Sequence, residues 1–278
     1  MQQPAATIVV RDVHFELESS AHDIPSHWHG DGLAVSRFFD SLSLFFPAGE
    51  RFFIAAVKEF APAVQDPVLK EQVRQFCAQE GVHSREHVVY NRLLRRFGYA
   101  SERLEQWNIG HLRWVAKTFS ARRRLAITCA LEHFTAIFAH LLLSNPQLMR
   151  NAHPQMAALW RWHAAEENEH KAVAFDVYRA TGGSYWLRVN HMISSTLMFL
   201  FLMVRFQFLL VPGRSFREGV REFHRSRKFL FKYVSFRELV RLYAAYYRPS
   251  FHPWDLDNRE LLKSWRDDFD DSPLAGST

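Results

Sequence analysis

Two short patterns place a carboxylate and an imidazole three residues apart, Glu80-Gly-Val-His83 and Glu167-Asn-Glu-His170. On a helix, an offset of three turns the chain by about 300°, so the two side chains share a face and reach one cation. Carboxylate oxygen with imidazole nitrogen suits iron, manganese or zinc. Two further acids stand alone in apolar company, Glu50 in FPAGERFF and Glu132 in CALEHFTAIFAHLLL. A carboxylate buried in such a setting must be paired or metal-bound, because bare burial is costly. The order is Glu50, Glu80–His83, Glu132, Glu167–His170, with steps of 30, 52 and 35 residues between successive glutamates. Four carboxylates balance two divalent cations, and the neutral cluster escapes most of the desolvation penalty.

More histidines lie on the same faces. His163 precedes Glu167 by four residues and His170 by seven, and His87 follows His83 by four. His163 is the preferred seventh ligand. His87, the other candidate for that seventh place, and Glu166 are the candidates for holding ligands from behind, and Glu166 is also an alternative to Glu167 as a shared acid. Glu86 and Glu169 read as salt-bridged or solvated. His133 points about 100° away from Glu132 and reads as structural; His140 reads as packed or outlying.

Helices must carry these groups. The apolar spacing predicts them near 48–63, 67–96, 120–144 and 154–180, with another from 102 to 119. Asp66–Pro67 supplies an N-cap and first turn, Pro47 a first turn, and Ser120 a cap. Gly98, Asn145–Pro146 and Gly182–Gly183 supply stops. The segment between the second and third ligand helices is long enough for an overhand crossing. Four helices with Glu, Glu-x-x-His, Glu, Glu-x-x-His match the ligand plan of ferritin-like dinuclear carboxylate proteins. The expected fold is therefore all-α, a ferritin-like four-helix bundle with a dinuclear metal site plus C-terminal helices. The expected division is an arm at 1–32 with one short strand, a metal-binding bundle at 33–183, an apolar and basic helical extension at 184–250, and a solvated polar tail at 251–278.

The extension has its own character. Residues 192–212 read MISSTLMFLFLMVRFQFLLVP, and Arg205 and Gln207 interrupt what would otherwise approach a bilayer span. A core or homodimer interface, a membrane-surface contact and a true span all stay open. From Arg214 to Arg248, ten Lys or Arg face Glu218, Glu222 and Glu238, so 10 − 3 = +7 against +6 for the whole chain. Basic and aromatic residues together suit an anionic headgroup surface. The first residues lack a signal-peptide pattern, so the expected location is cytoplasmic or peripheral to the inner face of the cytoplasmic membrane. Cys77 and Cys129 form no Cys-x-x-Cys pair, which argues against a disulfide framework or thiolate zinc site. The sequence has no P-loop, dinucleotide fingerprint, His-Glu-x-x-His or Gly-x-Ser-x-Gly. No nucleic-acid partner is expected.

The segments FFDSLSLFFPAGERFFIAAVKEF, QEGVHSREHVVYN and WHAAEENEHKAVAFDVY resemble a bacterial family described as predicted metal-dependent hydrolases, over roughly residues 8–250. The pattern His163-x3-Glu167-x2-His170 is similar to a helix of di-iron arylamine N-oxygenases, whose first histidine is an extra ligand. The second resemblance implies two iron ions, dioxygen, an external electron donor and a small apolar or lipid-like substrate, in an oxygenase or desaturase reaction. Glu132 and Glu167 would then bridge, His83 and His170 would cap the ions, and Glu50 and Glu80 would complete the set. The first resemblance implies instead a dinuclear hydrolase, with zinc or manganese. A metal-storage or sensing bundle without enzyme activity is the third reading. None of the three requires a catalytic residue beyond the metal ligands.

Overall fold

The computed structural model describes residues 7–20 and 22–270. Among them the regular structure is helical throughout, in agreement with the all-α expectation, and one isolated bridge joins His29 to Ala152. The helices are α1 (Leu33–Ser43), α2 (Phe46–Phe60), α3 (Pro67–Arg96), α4 (Ser101–Thr118), α5 (Ala121–Ser144), α6 (Pro154–His170), α7 (Val173–Ala180), α8 (Tyr185–Leu209), α9 (Phe216–Tyr233), α10 (Phe236–Ala245) and α11 (Arg259–Asp270).

Local chemistry sets most of these boundaries. The Asp66 carboxylate accepts from Val68 N at 2.9 Å, with Pro67 in the first turn of α3. Gly98, with φ of 76°, follows the end of α3 in the left-handed region that glycine enters without steric cost. Ser215 and Glu218 form a reciprocal capping box on α9. Ser120 precedes α5 but its side chain makes no capping bond. The stretch expected as one helix over 154–180 is two, broken at Lys171–Ala172. There the Lys171 ammonium turns to Leu256 O at 2.6 Å and to Asn258 Oδ1.

Helices α2, α3, α5 and α6 carry the acids and histidines, and they close a ring: α2 on α3, α3 on α6, α6 on α5, α5 on α2. Helix α4 occupies the crossing between α3 and α5. Two apolar clusters fill the ring from opposite ends. One takes Tyr90, Leu93 and Leu94 of α3 with Leu159 and Trp160 of α6. The other takes Leu69, Val73 and Phe76 of α3 with Phe175 and Val177 of α7. The polar residues between positions 79 and 87 of α3 and between 163 and 170 of α6 therefore lie midway between two dry cores.

Two expectations about the chain ends need correction. The described part of the arm contains no strand; it is an extended segment whose Val13, Phe15, Leu17 and Trp28 are buried. The described residues after 250 are not a solvated tail, because α11 packs on α6 and buries Leu262, Trp265 and Phe269. The acidic residues Asp267 and Asp268 are the outward side of an amphipathic helix, and sequence reading weighted them over the Leu262–Trp265–Phe269 spacing. Residues 271–278 of that tail lie outside the described residues.

Candidate metal centre

All seven candidate ligands come together and all are buried. Ligand-capable atoms of Glu50, His83 and His163 lie within 4.8 Å of one another, as do those of Glu80, Glu132 and His170. A third set, Glu80, His83 and Glu167, joins the first two. Glu167 spans both groups: Oε1 is 3.1 Å from His163 Nε2 and 3.5 Å from His83 Nδ1, while Oε2 is 3.7 Å from His170 Nε2. Glu80 spans them too, with Oε1 3.3 Å from His170 Nε2 and Oε2 3.9 Å from His83 Nδ1. Glu132 meets His170 at 3.8 Å and stays on that side. Glu80 and Glu167 thus approach histidines of both groups, and Glu132 approaches His170.

Each histidine has one nitrogen tied from outside and the other facing the acids. Asn91 Nδ2 donates to Ser43 O and Glu105 Oε1, so its Oδ1 accepts from Ser43 Oγ at 2.8 Å. Ser43 Oγ then accepts from His87 Nδ1, and His87 Nε2 accepts from His163 Nδ1, both at 2.8 Å. This chain leaves His163 Nε2 with its lone pair toward the acids. Gln79 Nε2 donates to Val9 O and Glu169 Oε2, so its Oε1 accepts from His170 Nδ1 at 2.8 Å and frees His170 Nε2. His83 Nε2 donates to Glu166 Oε2 at 3.0 Å and frees Nδ1. Outer partners of this kind fix ligand orientation in metal sites.

His87 is thus hydrogen-bonded to His163, and Glu166 to His83. Gln79, Arg11 and Arg266 were not singled out by the sequence. Arg11 donates to both Glu166 and Glu169, and Arg266 donates to Glu169. Glu86 pairs with Arg85 and accepts from Phe15 N. His133 bonds Leu242 O at 3.2 Å, and His140 lies near Glu238; neither belongs to the cluster.

The donor set fits two divalent cations. Both carboxylate oxygens of Glu50, Glu80 and Glu132, together with His83 Nδ1, His163 Nε2 and His170 Nε2, are buried without a hydrogen-bond partner. No described Lys or Arg forms a salt bridge with any of the four inner glutamates. Burial first, then the charge of Glu80, pushes Glu50 and Glu132 well above the usual carboxylate range. Burial also pushes Glu167 up, but the charge of His170 and the close approach of the surrounding histidines outweigh it and hold it well below. Burial lowers His83, yet its hydrogen bond to Glu166 and the close carboxylate of Glu167 prevail and, without cations, raise it to about 10. Burial, with the charge of His83, takes His163 down to about 4. Without cations the cluster is a crowd of acids that must share protons. Two divalent ions would supply the positive charge it lacks.

A cavity of about 420 Å³ ends at this centre. Its wall includes Glu167 and His163 on the inside and is otherwise dominated by apolar side chains such as Phe46, Phe53, Phe134 and Leu202. The ring of Phe46 lies 4.4 Å from that of His163. Its size and lining are those of a small-molecule pocket.

Comparison with known proteins gives one match. No curated protein and no solved structure is similar enough to be matched. A family model described as predicted metal-dependent hydrolase matches residues 9–257, with the cluster of acids and histidines inside that span, and the chain belongs to this family.

Proposed function

We propose that the protein is a dinuclear metal-dependent hydrolase acting on a small apolar molecule. The observation that carries this reading is the convergence of seven buried acids and histidines, their free atoms facing one another, at the closed end of an apolar cavity. Glu50, His83 and His163 would hold one ion, Glu132 and His170 the other, and Glu80 and Glu167 both. When bound, such ions would lower the pKa of a coordinated water and polarise the oxygen bonded to the carbon or phosphorus that the water attacks. The family description favours hydrolysis, for which zinc or manganese is the expected metal. The four-helix arrangement of these ligands supports the ferritin-like reading of the fold.

The protein's own groups do the rest. Glu167 and His163 line the cavity, so the reacting end of the substrate meets that side of the centre. The two apolar clusters and the packed arm exclude bulk water. The His163–His87–Ser43–Asn91 chain keeps His163 Nε2 unprotonated.

A second reading is favoured by the donor set itself. Four carboxylates and three histidines suit iron, and so suit oxygenase or desaturase chemistry with dioxygen and an external electron donor. The cavity wall also offers little to hold a polar leaving group. The test is reconstitution with zinc, manganese or ferrous iron, followed by two assays. Release of p-nitrophenol from esters of increasing chain length, rising with chain length in the zinc or manganese protein, is the expected result. No ester turnover with any metal, together with oxygen uptake by the ferrous protein, would overturn hydrolysis in favour of oxygen activation.

A further inference from the structure

The outside of the cavity is as apolar as the inside. Helix α8 buries Met192, Met203 and Phe206 and packs on α5. Its other side presents Trp186, Ile193, Leu197, Leu200, Phe201 and Val204 to solvent. These positions recur at helical spacing and form one stripe. Trp186 is 71% exposed, Leu197 67% and Phe201 58%. A contiguous patch of this kind marks an interaction surface.

Helix α9 continues the patch and adds charge. Phe216, Val220 and Phe231 are exposed. Arg217, Arg221, Lys228 and Lys232, also exposed, stand roughly a quarter turn further round the helix. The acids of α9 are engaged elsewhere: Glu222 pairs with Arg37 and Arg214, and Glu218 caps the helix through Ser215. On α10, Phe236 contacts Phe231 with ring centroids 5.7 Å apart. Met198 of α8 and Phe231 of α9 are both exposed, and both line the cavity that ends at Glu167 and His163.

We infer that this face docks on an anionic lipid bilayer and that the cavity draws its apolar substrate from that bilayer. The second half rests on the function proposed above; the docking does not. Apolar side chains beside a basic stripe are what an anionic membrane surface attracts, through apolar burial and charge together. A second copy fits less well, because a two-fold contact through this face would oppose one basic stripe to another. Helix α8 is long and apolar enough to cross a bilayer. Its packing along α5 and its buried Arg188, which donates to Tyr246 O at 2.6 Å, keep it as a face rather than a span.

The test uses the full metal-loaded chain in flotation with phosphatidylcholine vesicles, with and without phosphatidylglycerol. Co-flotation with the anionic vesicles is expected, weakening as salt is raised. Both L197E/F201E and R221E/K228E are expected to lower vesicle binding by about tenfold or more while metal content and helicity are unchanged. With brominated acyl chains in the vesicle, tryptophan fluorescence is expected to fall, and less so in W186F. A protein that stays soluble with every vesicle overturns the inference, as does equal binding by both charge and apolar variants. So does a stable dimer that L197E splits. None of these readouts uses turnover. Loss of vesicle binding in L197E with short-ester turnover intact bears on docking alone, and absent turnover with docking intact bears on the reaction alone.

Discussion

At the scale of single residues, the three inner histidines differ in what holds them, and that difference can be tested. His83 depends on a carboxylate, His170 on an amide and His163 on another histidine. Glu166→Gln can present an amide N–H to His83 Nε2 and reverse its tautomer. Metal affinity, measured by competition with a chelator, is expected to fall on the order of 10–100-fold. Because Glu80 and Glu167 touch both groups, Glu80→Ala and Glu167→Ala are expected to lose both ions in elemental analysis, whereas Glu132→Ala keeps one. Retention of two ions in Glu80→Ala would return the shared position to Glu132. Protons compete with cations here. Glu50 and Glu132 are raised, so their contribution to metal-free stability is present below the ordinary carboxylate range and is lost as pH rises through their raised values. Metal expels those protons. The gain in melting temperature on adding metal is therefore expected to grow from about pH 5 to about pH 8. Asp40 gives a second titration away from the cluster. Burial, opposed by its bonds from Trp28 and Tyr90, lifts it to about 7. Its contribution to stability is lost as pH rises toward that value, by up to about 1.4 kcal/mol per pH unit. Both bonds go to Oδ1. Asp40→Asn can keep them, and denaturant melts are expected to favour the variant increasingly above about pH 5.

At the scale of elements, the ligand helices were legible because acids and histidines at offsets of three, four and seven are visible in one dimension. Asp66–Pro67 and Gly98 punctuate α3 with side chains and φ values that belong to those residue types. The break after His170 was not legible, because what turns the chain is a contact between Lys171 and Leu256, far away in sequence. Gln79 was missed for a similar reason. It lies next to Glu80, and only its distance to His170 distinguishes it from any helical glutamine. Helix α11 was missed because its three aspartates at 267, 268 and 270 obscured an apolar spacing. Trp265 is nearly buried there. Trp265→Ala is expected to cost about 3–5 kcal/mol in denaturant unfolding, and a change under about 1 kcal/mol would restore α11 to the status of a solvated tail.

At the scale of the whole molecule, the centre sits between two dry cores, with one apolar route leading outward past α8 and α9. The outer layer that braces it is drawn from opposite ends of the described chain. Arg11 and Arg266 both bind Glu169, and Arg266 also donates to Thr7 O at 2.9 Å. Residues 259 positions apart thus meet beside Glu169, whose carboxylate accepts from Gln79, while Gln79 Oε1 accepts from His170. During synthesis, the helices carrying the ligands leave the ribosome long before residue 266 does. A cation captured by the nascent chain would find its glutamates but not a properly oriented His170, and exchange would remain easy. The expected consequence is that metal is held firmly only once Arg11 and Arg266 have both reached Glu169.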